Sequence, residues 1–519
     1  MRRIIEMRLN PSDAYVPARW KYMASIMLGI AQGRIYHITP LRLSIDARNK
    51  VVFRLKAEIF IGEHLPQEEK LFKSALPDVG SRSPVIVVGA GPAGLFAAFT
   101  LVLHGFKPIV IERGKAIQAR KYDIALLNRG EKLNTESNYC FGEGGAGTFS
   151  DGKLYTRSTK RGDVTAVLRT LVEHGATENI LFDAHPHIGT DKLPGIITSM
   201  RRSLLEAGAE FHFNTRVSGF LVAKGRIKGV KDSTGNSFQA GAVILATGHS
   251  ARDVYEMMHK DGYALEAKPF ALGVRVEHPQ ALIDEIQYGL ADRGGHIPAA
   301  SYSLVTQAAG RGVFSFCMCP GGAIVPAATG QGQSVVNGMS NSNRSSPFAN
   351  SGIAVAVEAD DWQEFAGQGA LAALAMQQHI EHEAWKVTGD FRVPAQRLTD
   401  FMEGVVSVNL PKNSYHPGLL SYDLNAILPS FISGRLKLAF ADFNRKMKGF
   451  ISSEAIITAV ESRTSAPVRI PRDPETLCHP QLQGLYPCGE GSGYAGGIVS
   501  SVMDGQKSAL AAAARYIPA

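Results

Sequence analysis

A glycine-rich turn beside an acidic residue is the part of the sequence whose residue types and spacing point most directly to chemistry. Residues 89–94 have the spacing Gly-x-Gly-x-x-Gly and follow the apolar run 84–88. In such a turn the first glycine allows a sharp bend, the second lets a pyrophosphate approach the backbone, and the third lets a helix pack on a strand. The helix that follows would direct free N–H groups towards phosphate. The turn therefore predicts a dinucleotide site at Gly89, Gly91, Pro92, Ala93 and Gly94.

Glu112 ends a second apolar run, 108–111, and follows Gly94 by 18 residues. A carboxylate at this place accepts hydrogen bonds from the ribose hydroxyls of adenosine and repels a 2′-phosphate. We therefore expect FAD or NAD rather than NADP, with Glu112 and Arg113 among the contacts. The full spacing disfavours the alternative, a strand-to-helix turn without a ligand.

Three further glycine-rich segments favour FAD over NAD. Residues 141–150 hold too much glycine for the interior of a helix or strand and suit a loop that passes close to a flat ring. Residues 246–248 end an apolar run, and residues 489–497 lead into a predicted helix, 498–514, whose N-terminus could support the flavin. The additional contacts predicted for FAD are Gly144, Gly145, Ala146, Gly147, Thr148, Val217, Thr247, Gly248, Gly489, Glu490, Gly496, Gly497 and Ile498.

Polar residues outside these segments are the candidates for catalysis and substrate binding. His249 directly follows the strand end at Gly248. Arg275 lies in a strand-like run, and Arg344 lies in a loop rich in asparagine. Either arginine could hold an anionic substrate through a bidentate contact, and a structural ion pair is the alternative for each.

Cysteine and histidine give two weaker signals. Cys317 and Cys319 could form a redox or nucleophilic pair, but a single intervening residue strains a disulfide, and small buried cysteines are common. His185 and His187 lie two residues apart, with no cluster at tetrahedral spacing nearby. We therefore expect no metal site.

Several domains must position these residues, because a chain of 519 residues is too long for one compact core. The predicted fold class is α/β: a Rossmann-type FAD-binding domain with an inserted α+β substrate domain and a small N-terminal α+β domain. The predicted divisions are 1–74 for the N-terminal domain, 84–261 for the first part of the FAD domain, 262–448 for the substrate domain and 449–519 for the C-terminal part of the FAD domain.

Alternation of apolar and polar residues, together with turn residues, predicts the individual elements. The predictions are a hairpin over 35–45 and 51–61, a linker over 62–83, buried strands over 84–88, 108–111, 241–247 and 484–488, a three-stranded meander over 211–237, and helices over 195–206, 361–387 and 498–514.

Composition excludes several classes of protein. No run reaches the roughly 18 apolar residues that span a bilayer, and the first ten residues are charged, unlike a signal peptide. Five cysteines argue against a secreted disulfide framework, so we expect a cytoplasmic protein. Of the net charge of +8, residues 1–74 carry +6, from 13 basic and 7 acidic residues. This surplus could bind RNA or an acidic partner, and a solvated basic face is the alternative.

The motifs together resemble those of a known class of flavoproteins. The sequence is similar to the two-dinucleotide-motif flavoproteins of the glutathione reductase structural class, and more closely to a group of bacterial FAD-dependent dehydrogenases of unestablished substrate. Where the wider class commonly has an aspartate, this chain has Glu490. The resemblance implies the fold and the cofactor, but it supplies no reaction. It rests on residues 88–94 with Glu112, and on 141–154, 187–193, 268–279, 316–322, 341–350 and 489–497.

These observations predict an FAD-dependent dehydrogenase or reductase that moves a hydride through flavin N5 to or from a small-molecule substrate. Only one complete dinucleotide fingerprint is present, so NAD(P)H would visit the flavin transiently or electrons would arrive by another route. The alternatives are an FAD-dependent RNA-modifying enzyme, suggested by the basic N-terminal segment, and a non-catalytic flavoprotein scaffold.

Overall fold

The N-terminal segment folds as a sheet covered by one helix because one face of the sheet is apolar. In the computed structural model, which describes residues 1–63, 76–155 and 162–516, the predicted linker lies partly outside the described residues. The elements are β1 (Arg2–Leu9), α1 (Pro17–Leu28), β2 (Ile35–Asp46) and β3 (Val52–Ile61). The strands pair antiparallel in the order β1-β3-β2, with Met7, Trp20 and Leu55 buried in the core. This confirms the small α+β unit and its hairpin.

A parallel sheet follows, built from short apolar strands that are buried on both faces. Its first part has the elements β4 (Pro84–Val88), α2 (Pro92–Leu103), β5 (Lys107–Ile111), α3 (Ile117–Asn128), α4 (Val164–Glu173), α5 (Leu193–Glu206), β6 (Glu210–His212), β7 (Val217–Ala223), β8 (Arg226–Asp232), β9 (Ser237–Gln239), β10 (Val243–Leu245) and α6 (Arg252–Lys260). Val85 and Val87 contribute to a core with α2 and α5, whereas Ile86 and Val88 contribute to a second core with β8 and α6.

The predicted meander differs from the structure at both ends. Residues 210–212 form β6, an edge strand of the parallel sheet, and the three-stranded meander is β7-β8-β9, which ends at Gln239. The prediction began too early because an apolar strand at the sheet edge and a strand of the meander both alternate apolar and polar residues.

The second domain is organised around one seven-stranded sheet. The elements after α6 are β11 (Glu266–Ala267), β12 (Phe270–Pro279), α7 (Gln280–Tyr288), β13 (Val305–Ala308), β14 (Arg311–Cys319), β15 (Gly322–Pro326), β16 (Val336–Ser340), β17 (Phe348–Val357), α8 (Ala372–Thr388), β18 (Val393–Arg397), α9 (Leu398–Glu403), β19 (Leu419–Ser421), α10 (Ser430–Lys446), β20 (Ile456–Glu461) and β21 (Val468–Arg469). Phe440 and Phe443 of α10 are fully buried in its core. The seven strands lie in the order β13-β14-β17-β12-β20-β18-β19. All pairings within this sheet are antiparallel except β18 with β19.

The domain boundary predicted after Lys448 does not match the end of the second domain in the structure. Strand β20 pairs with β12 and β18 and therefore belongs to the second domain, which extends at least to Glu461. The chain then returns to the first sheet through β22 (Leu485–Pro487), which pairs parallel to β10, and ends in α11 (Ile498–Ala514). The parallel sheet has the order β22-β10-β4-β5-β6, so the second domain is inserted into the first, as predicted.

The helix predicted over 361–387 is divided in the structure. A 3-10 segment, Ala359–Leu371, precedes α8, and two of its residues leave helical geometry. One of them is Gly369, whose φ of +55° a residue with a side chain rarely adopts. Among the described residues no helix is both long and apolar enough to cross a membrane.

The N-terminal unit docks on the parallel-sheet domain through one short segment. Leu43 N donates to Phe182 O at 2.7 Å, and Ala184 N donates back to Leu43 O at 2.8 Å. The Phe182 ring packs edge-on against Trp20, with 5.9 Å between centroids, and is part of the N-terminal core. The unit therefore lies directly beside the segment that leads to His187.

Candidate functional site

A cavity opens at the edge of the parallel sheet where β4, β5, β10 and β22 end. Val88, Ile111, Ala246 and Cys488 line it, and each is the last residue of one of these strands or the residue directly after it. Ligands of open α/β sheets bind outside the carboxyl ends of the strands. This edge is therefore the place where a dinucleotide is expected.

Most of the residues predicted as cofactor contacts line this cavity. They are Gly89, Gly91, Pro92, Ala93, Glu112, Arg113, Gly145, Ala146, Gly147, Val217, Thr247, Gly248, Gly489, Glu490, Gly496, Gly497 and Ile498. Sequence reasoning missed other lining residues, such as Asp253 and Arg463, because no local motif marks them. Contact of each residue with a cofactor stays a prediction.

Gly94, Gly144 and Thr148 are not among the lining residues and shape the turns behind the cavity. A Cβ at Gly94 would overlap the carbonyl oxygen of Gly89, so this glycine lets α2 pack against the turn. A Cβ at Gly144 would overlap the Thr148 side chain, whose hydroxyl donates to Glu143 O at 2.9 Å. These positions therefore support the site through backbone geometry.

Two helices begin at the cavity without a side-chain cap. Gly91 precedes α2 and Gly497 precedes α11, and neither helix has a capping hydrogen bond from a side chain. Their first turns can offer N–H groups and the positive end of the helix dipole to an anion. At Gly91 a Cβ would meet nothing closer than Gly145 Cα, 3.8 Å away, so the turn leaves open space on the cavity side. This arrangement fits the pyrophosphate of a dinucleotide.

Glu112 is buried at the cavity wall. Its carboxylate accepts N–H groups from Ala90 at 2.9 Å, Gly114 at 2.9 Å and Gly142 at 3.0 Å. An ionised carboxylate has about four acceptor sites, so one is left for a ribose hydroxyl. The three backbone bonds fix the orientation of the acid relative to the glycine turn.

Arg113 is held by two carboxylates beside this acid. Its guanidinium pairs with Glu136 at 3.0 Å and Asp253 at 2.8 Å, and it lies 4.1 Å from the centroid of the Phe141 ring. These contacts hold the planar guanidinium of Arg113 in place at the same end of the cavity as Glu112. A planar group there suits the adenine half of a dinucleotide.

The second domain contributes the remaining wall through Phe316, Cys317 and Asn337. The Cys317 side chain is accessible, and its φ of +44° lies in the left-handed region. Loss of hydration within the cavity raises the pKa of its thiol to about 12, although the charges of Lys153 and Arg275 act in the opposite direction. The thiol is therefore neutral at neutral pH, which argues against the nucleophilic role considered for it.

Arg275 lies behind this wall, outside the cavity lining. It is fully buried, and its guanidinium donates to Glu461 at 2.7 Å, to Asn350 at 2.8 Å and to Cys317 O at 2.8 Å. Burial lowers the pKa of Arg275, but the charge and hydrogen bond of Glu461 together with the nearby Cys319 and Cys317 raise it by more, and the net shift is upward. These contacts favour the structural ion pair over substrate binding for this arginine.

A second buried network reaches the cavity through Arg463. Arg252 makes two hydrogen bonds to Glu381, at 2.7 and 2.8 Å, and Arg463 pairs with the same carboxylate at 3.2 Å. Burial raises the pKa of Glu381, but the two arginines lower it to about 2. Two cations thus share one carboxylate. The three residues are far apart in sequence, so no spacing could have predicted them.

Arg344 joins a third polar group, which lies next to residues 317–319, the bulged end of β14 that is called the cysteine turn below. Arg344 pairs with Asp151 at 2.9 Å, and Lys153 pairs with the same carboxylate at 3.3 Å. Lys153 Nζ is also 3.7 Å from Cys319 Sγ. The sequence indicated Arg344 and Cys319 separately, and it missed Lys153.

His249 lines the cavity next to Gly248, and its Nδ1 is 3.6 Å from a carboxylate oxygen of Glu490. Glu490 thus faces a histidine within the cavity, in addition to the FAD contact predicted for it. His187 lies outside the lining, and its Nε2 is 3.1 Å from Ser342 O, so Nε2 carries the proton. Burial lowers the pKa of His187, and this imidazole is neutral at neutral pH.

The N-terminal basic residues are engaged in ion pairs at several positions. Arg19 pairs with Asp13 at 3.0 Å, and Arg54 pairs with both Glu6 at 3.2 Å and Asp46 at 2.7 Å. RNA binding or an acidic partner at this unit stays a prediction. Across the described ranges, no group of three or more histidine, cysteine, aspartate or glutamate side chains could hold a metal ion.

Comparison with known sequences matches three parts of the chain. Residues 83–264 match the family model described as pyridine nucleotide-disulphide oxidoreductase, and residues 269–464 match that of an FAD-dependent protein, C-terminal domain-like. Residues 1–60 match a domain of unknown function. An uncharacterised protein of Clostridium beijerinckii is 39% identical over 505 residues, which covers 93% of each chain.

Solved structures with a similar fold are distant in sequence. The open conformation of a flavocytochrome c3 fumarate reductase is 13% identical and covers 87% of this chain and 84% of its own, with a TM-score of 0.36. A geranylgeranyl bacteriochlorophyll reductase-like protein from Thermoplasma acidophilum is 13% identical and covers 82% and 77%, with a TM-score of 0.33.

Proposed function

Because the chain belongs to a family of FAD-dependent oxidoreductases, with FAD as its cofactor, we propose that it transfers a hydride between FAD and a small-molecule substrate. Bound FAD supplies two-electron chemistry at flavin N5, and the protein supplies binding, orientation and the surrounding charges. The family shows that the protein is an FAD-dependent oxidoreductase, and the hydride transfer is the step that we add.

The residues that would hold FAD form a chemically consistent set. The uncapped N-terminus of α2 would face the pyrophosphate, and Glu112 would accept a ribose hydroxyl. The uncapped N-terminus of α11, preceded by Gly496 and Gly497, would support the other half of the cofactor. No side chain fills the space at Gly91, as close approach of a phosphate requires.

The observation that carries the proposal is the wall from the second domain. Phe316, Cys317 and Asn337 close a cavity most of whose other residues come from the dinucleotide domain. A fold that only stored FAD would need no wall from a separate domain. A site between two domains is also a usual place for a substrate to meet a cofactor.

A dehydrogenation of this kind breaks a C–H bond with its electron pair and releases a proton from the same substrate. In the opposite direction, the substrate is reduced when it takes up a hydride and a proton. His249 is the titratable residue in the cavity lining whose imidazole could take or give that proton, oriented by Glu490. We propose it as the catalytic acid or base.

The second domain offers no counterpart of the nicotinamide domain found in disulfide reductases. Its sheet is antiparallel apart from one pair of strands, and no glycine turn links a parallel strand to a helix within 262–448, all of which is described. We propose that electrons are exchanged with the substrate itself or with a carrier that visits the cavity.

Anaerobic spectroscopy of the purified holoprotein tests this function. Oxidised protein is mixed with small-molecule donors, and dithionite-reduced protein is mixed with acceptors, while flavin absorbance is followed. A donor deuterated at the oxidised carbon should bleach the flavin more slowly than its protium form. If no donor or acceptor changes the redox state of bound FAD, the non-catalytic scaffold is supported instead.

A further inference from the structure

A polar cluster lies beside the cysteine turn, outside the cavity lining. It is formed by Asp151, Lys153, His187 and Arg344, and it is called the basic cluster below. Lys153 Nζ and Arg344 both contact the same oxygen, Asp151 Oδ2, at 3.3 and 2.9 Å. The residues come from three separate segments of the chain, and Lys153 bridges to His187 through their backbones.

The basic cluster has a net charge of +1, because its cations outnumber its carboxylates by one. Lys153 and Arg344 are two cations, and Asp151 is their one carboxylate. Burial raises the pKa of Asp151, but Lys153 and Arg344 lower it to about 2, so it is ionised. His187 adds no charge at neutral pH. The neighbouring Arg275 and Glu461 form an ion pair with each other and leave the surplus unchanged.

Unused hydrogen-bonding capacity accompanies this charge. In the part of the chain that the structure describes, Arg344 Nε and Asp151 Oδ1 are both buried without a hydrogen-bond partner, which costs free energy unless a ligand satisfies them. The Lys153 side chain is 36% exposed, so a ligand can reach it from solvent. The Nε donor of Arg344 and the ammonium of Lys153 can both donate hydrogen bonds to an anion, and Asp151 Oδ1 can accept one from a hydroxyl of the same ligand.

The basic cluster is next to the cofactor cavity. Ser150 lines the cavity, and Asp151 is the next residue. On the other side, Cys317 lines the cavity, and Cys319 contacts Lys153 Nζ at 3.7 Å. A molecule anchored at Lys153 could therefore extend past the cysteine turn towards the wall formed by the second domain.

We propose that Lys153 and Arg344 bind the carboxylate of an organic acid, and that this acid is the substrate of the hydride transfer proposed above. One surplus positive charge matches a carboxylate monoanion, whereas a phosphate dianion would remain undercompensated. Asp151 acts as a positioning residue, since it holds both cations through one oxygen. This proposal rests on the proposed function for the role of the acid, but binding of the acid can be measured without turnover.

Difference spectra of the oxidised holoprotein test the proposal. The flavin spectrum is recorded during titration with acetate, propionate and benzoate, and in parallel with acetamide, propionamide and benzamide. At least one carboxylate should perturb the flavin spectrum saturably, while its amide should not. Inorganic phosphate is titrated separately, and a tighter response to phosphate than to every carboxylate would overturn the assignment.

Matched variants locate the site. Lys153→Met and Arg344→Gln should each weaken carboxylate binding roughly tenfold or more, because each removes a charged donor. Lys153→Arg should retain most of the affinity. Lys107→Met and Arg311→Gln are controls, since these residues are comparably exposed but pair with Glu210 and with Glu358 and Asp361 elsewhere. FAD content and melting temperature confirm that each variant folds.

The outcomes separate this proposal from the function on which it rests. If the holoprotein binds FAD and exchanges electrons with an uncharged substrate but responds to no carboxylate, the basic cluster is wrongly assigned and the function stands. Equal carboxylate binding by wild type, K153M and R344Q also overturns the site. If carboxylates bind at Lys153 and Arg344 but no donor or acceptor reacts, the binding site stands and the hydride transfer fails.

Discussion

The cofactor half and the substrate half of the cavity are built in opposite ways. The cofactor half uses backbone at the ends of parallel strands, with glycines at Gly89 and Gly91 and one acid, Glu112. The substrate half, which is the part closed by the second domain, is supported from behind by side chains of distant strands, such as the ion pair of Arg275 in β12 with Glu461 in β20. Backbone sites leave a local pattern in the sequence, whereas side-chain networks do not. The cofactor was therefore predictable from the sequence, and the substrate was not.

Removing a carboxylate from a side-chain network should give the largest effect. Glu381→Gln leaves Arg252 and Arg463 buried without their shared counter-ion, and we expect a loss of about 3 to 5 kcal/mol in the free energy of unfolding. Urea denaturation measures the loss.

The control for this change lies on the same helix. Glu383 is 35% exposed and pairs with Lys386, so Glu383→Gln should lower the free energy of unfolding far less than Glu381→Gln. Similar losses for the two variants would show that the buried network does not stabilise the second domain. The contrast between a half built from backbone and a half supported by side-chain networks would then be wrong.

A side chain added in the cofactor half should remove the cofactor and leave the fold intact. Gly91→Val has room in the free protein, where the nearest atom to a Cβ is 3.8 Å away, but it fills the space that the pyrophosphate needs. We expect FAD binding to weaken at least about tenfold, with the melting temperature of the apoprotein unchanged.

Gly219→Val is the matched control, because this glycine in β7 has no atom within 4 Å of a Cβ. It should keep its full FAD content, measured by the nucleotide released on denaturation. Normal FAD content in the Gly91 variant would place the pyrophosphate elsewhere.

The buried histidine of the second domain should make stability depend on pH. Burial lowers the pKa of His278 to about 4, below its ordinary value of 6.5, so the unfolded chain binds its proton first as pH falls. The stabilising contribution is complete above pH 6.5 and is lost between about pH 6.5 and 4, up to about 3 kcal/mol.

His278→Gln should remove this dependence, since glutamine can still donate to Phe450 O but does not titrate in this range. The difference in unfolding free energy between wild type and variant is measured at pH 7 and at pH 5. A constant difference would show that His278 keeps its ordinary pKa. The comparison with wild type is needed because burial raises the pKa of the adjacent Glu277 to about 7, and this acts in the opposite direction.

The smallest expected signal is reduction of the flavin by NADH or NADPH alone. A dedicated nicotinamide domain can lower a barrier by several kcal/mol through proximity, and the second domain lacks such a fold. Anaerobic stopped-flow mixing should show bleaching on the order of seconds or slower. Saturable bleaching within milliseconds would reveal a nicotinamide site that the substrate half was not expected to contain.

The sequence predicted elements wherever a local pattern was sufficient. The glycine turn, the apolar strands and the N-terminal hairpin lie in the structure at nearly the residues predicted. The boundary at Lys448 was misplaced because β20 is an apolar strand that could pair in either sheet, and only tertiary pairing assigns it. The helix over 361–387 was predicted as continuous because its periodicity hides the break at Gly369.

The candidate site shows the same division. Arg344 and Cys319 were named from their residue types, but nothing in the sequence brings them to Lys153. Arg463 follows a buried strand and has no motif around it, although it reaches the cavity and shares Glu381 with Arg252. Such contacts are set by the packing of the two sheets, which periodicity in one segment does not determine.

The docking of Phe182 into the N-terminal core has a consequence for synthesis on the ribosome. The N-terminal unit is contiguous in sequence, yet its core includes a ring that is made about 120 residues after its last strand. At translation rates of roughly 5 to 20 residues per second, Phe182 is made roughly 8 to 32 seconds after Trp20, its partner in the core. The nascent unit therefore matures only once the following domain has begun to emerge, which ties the folding of the two in time.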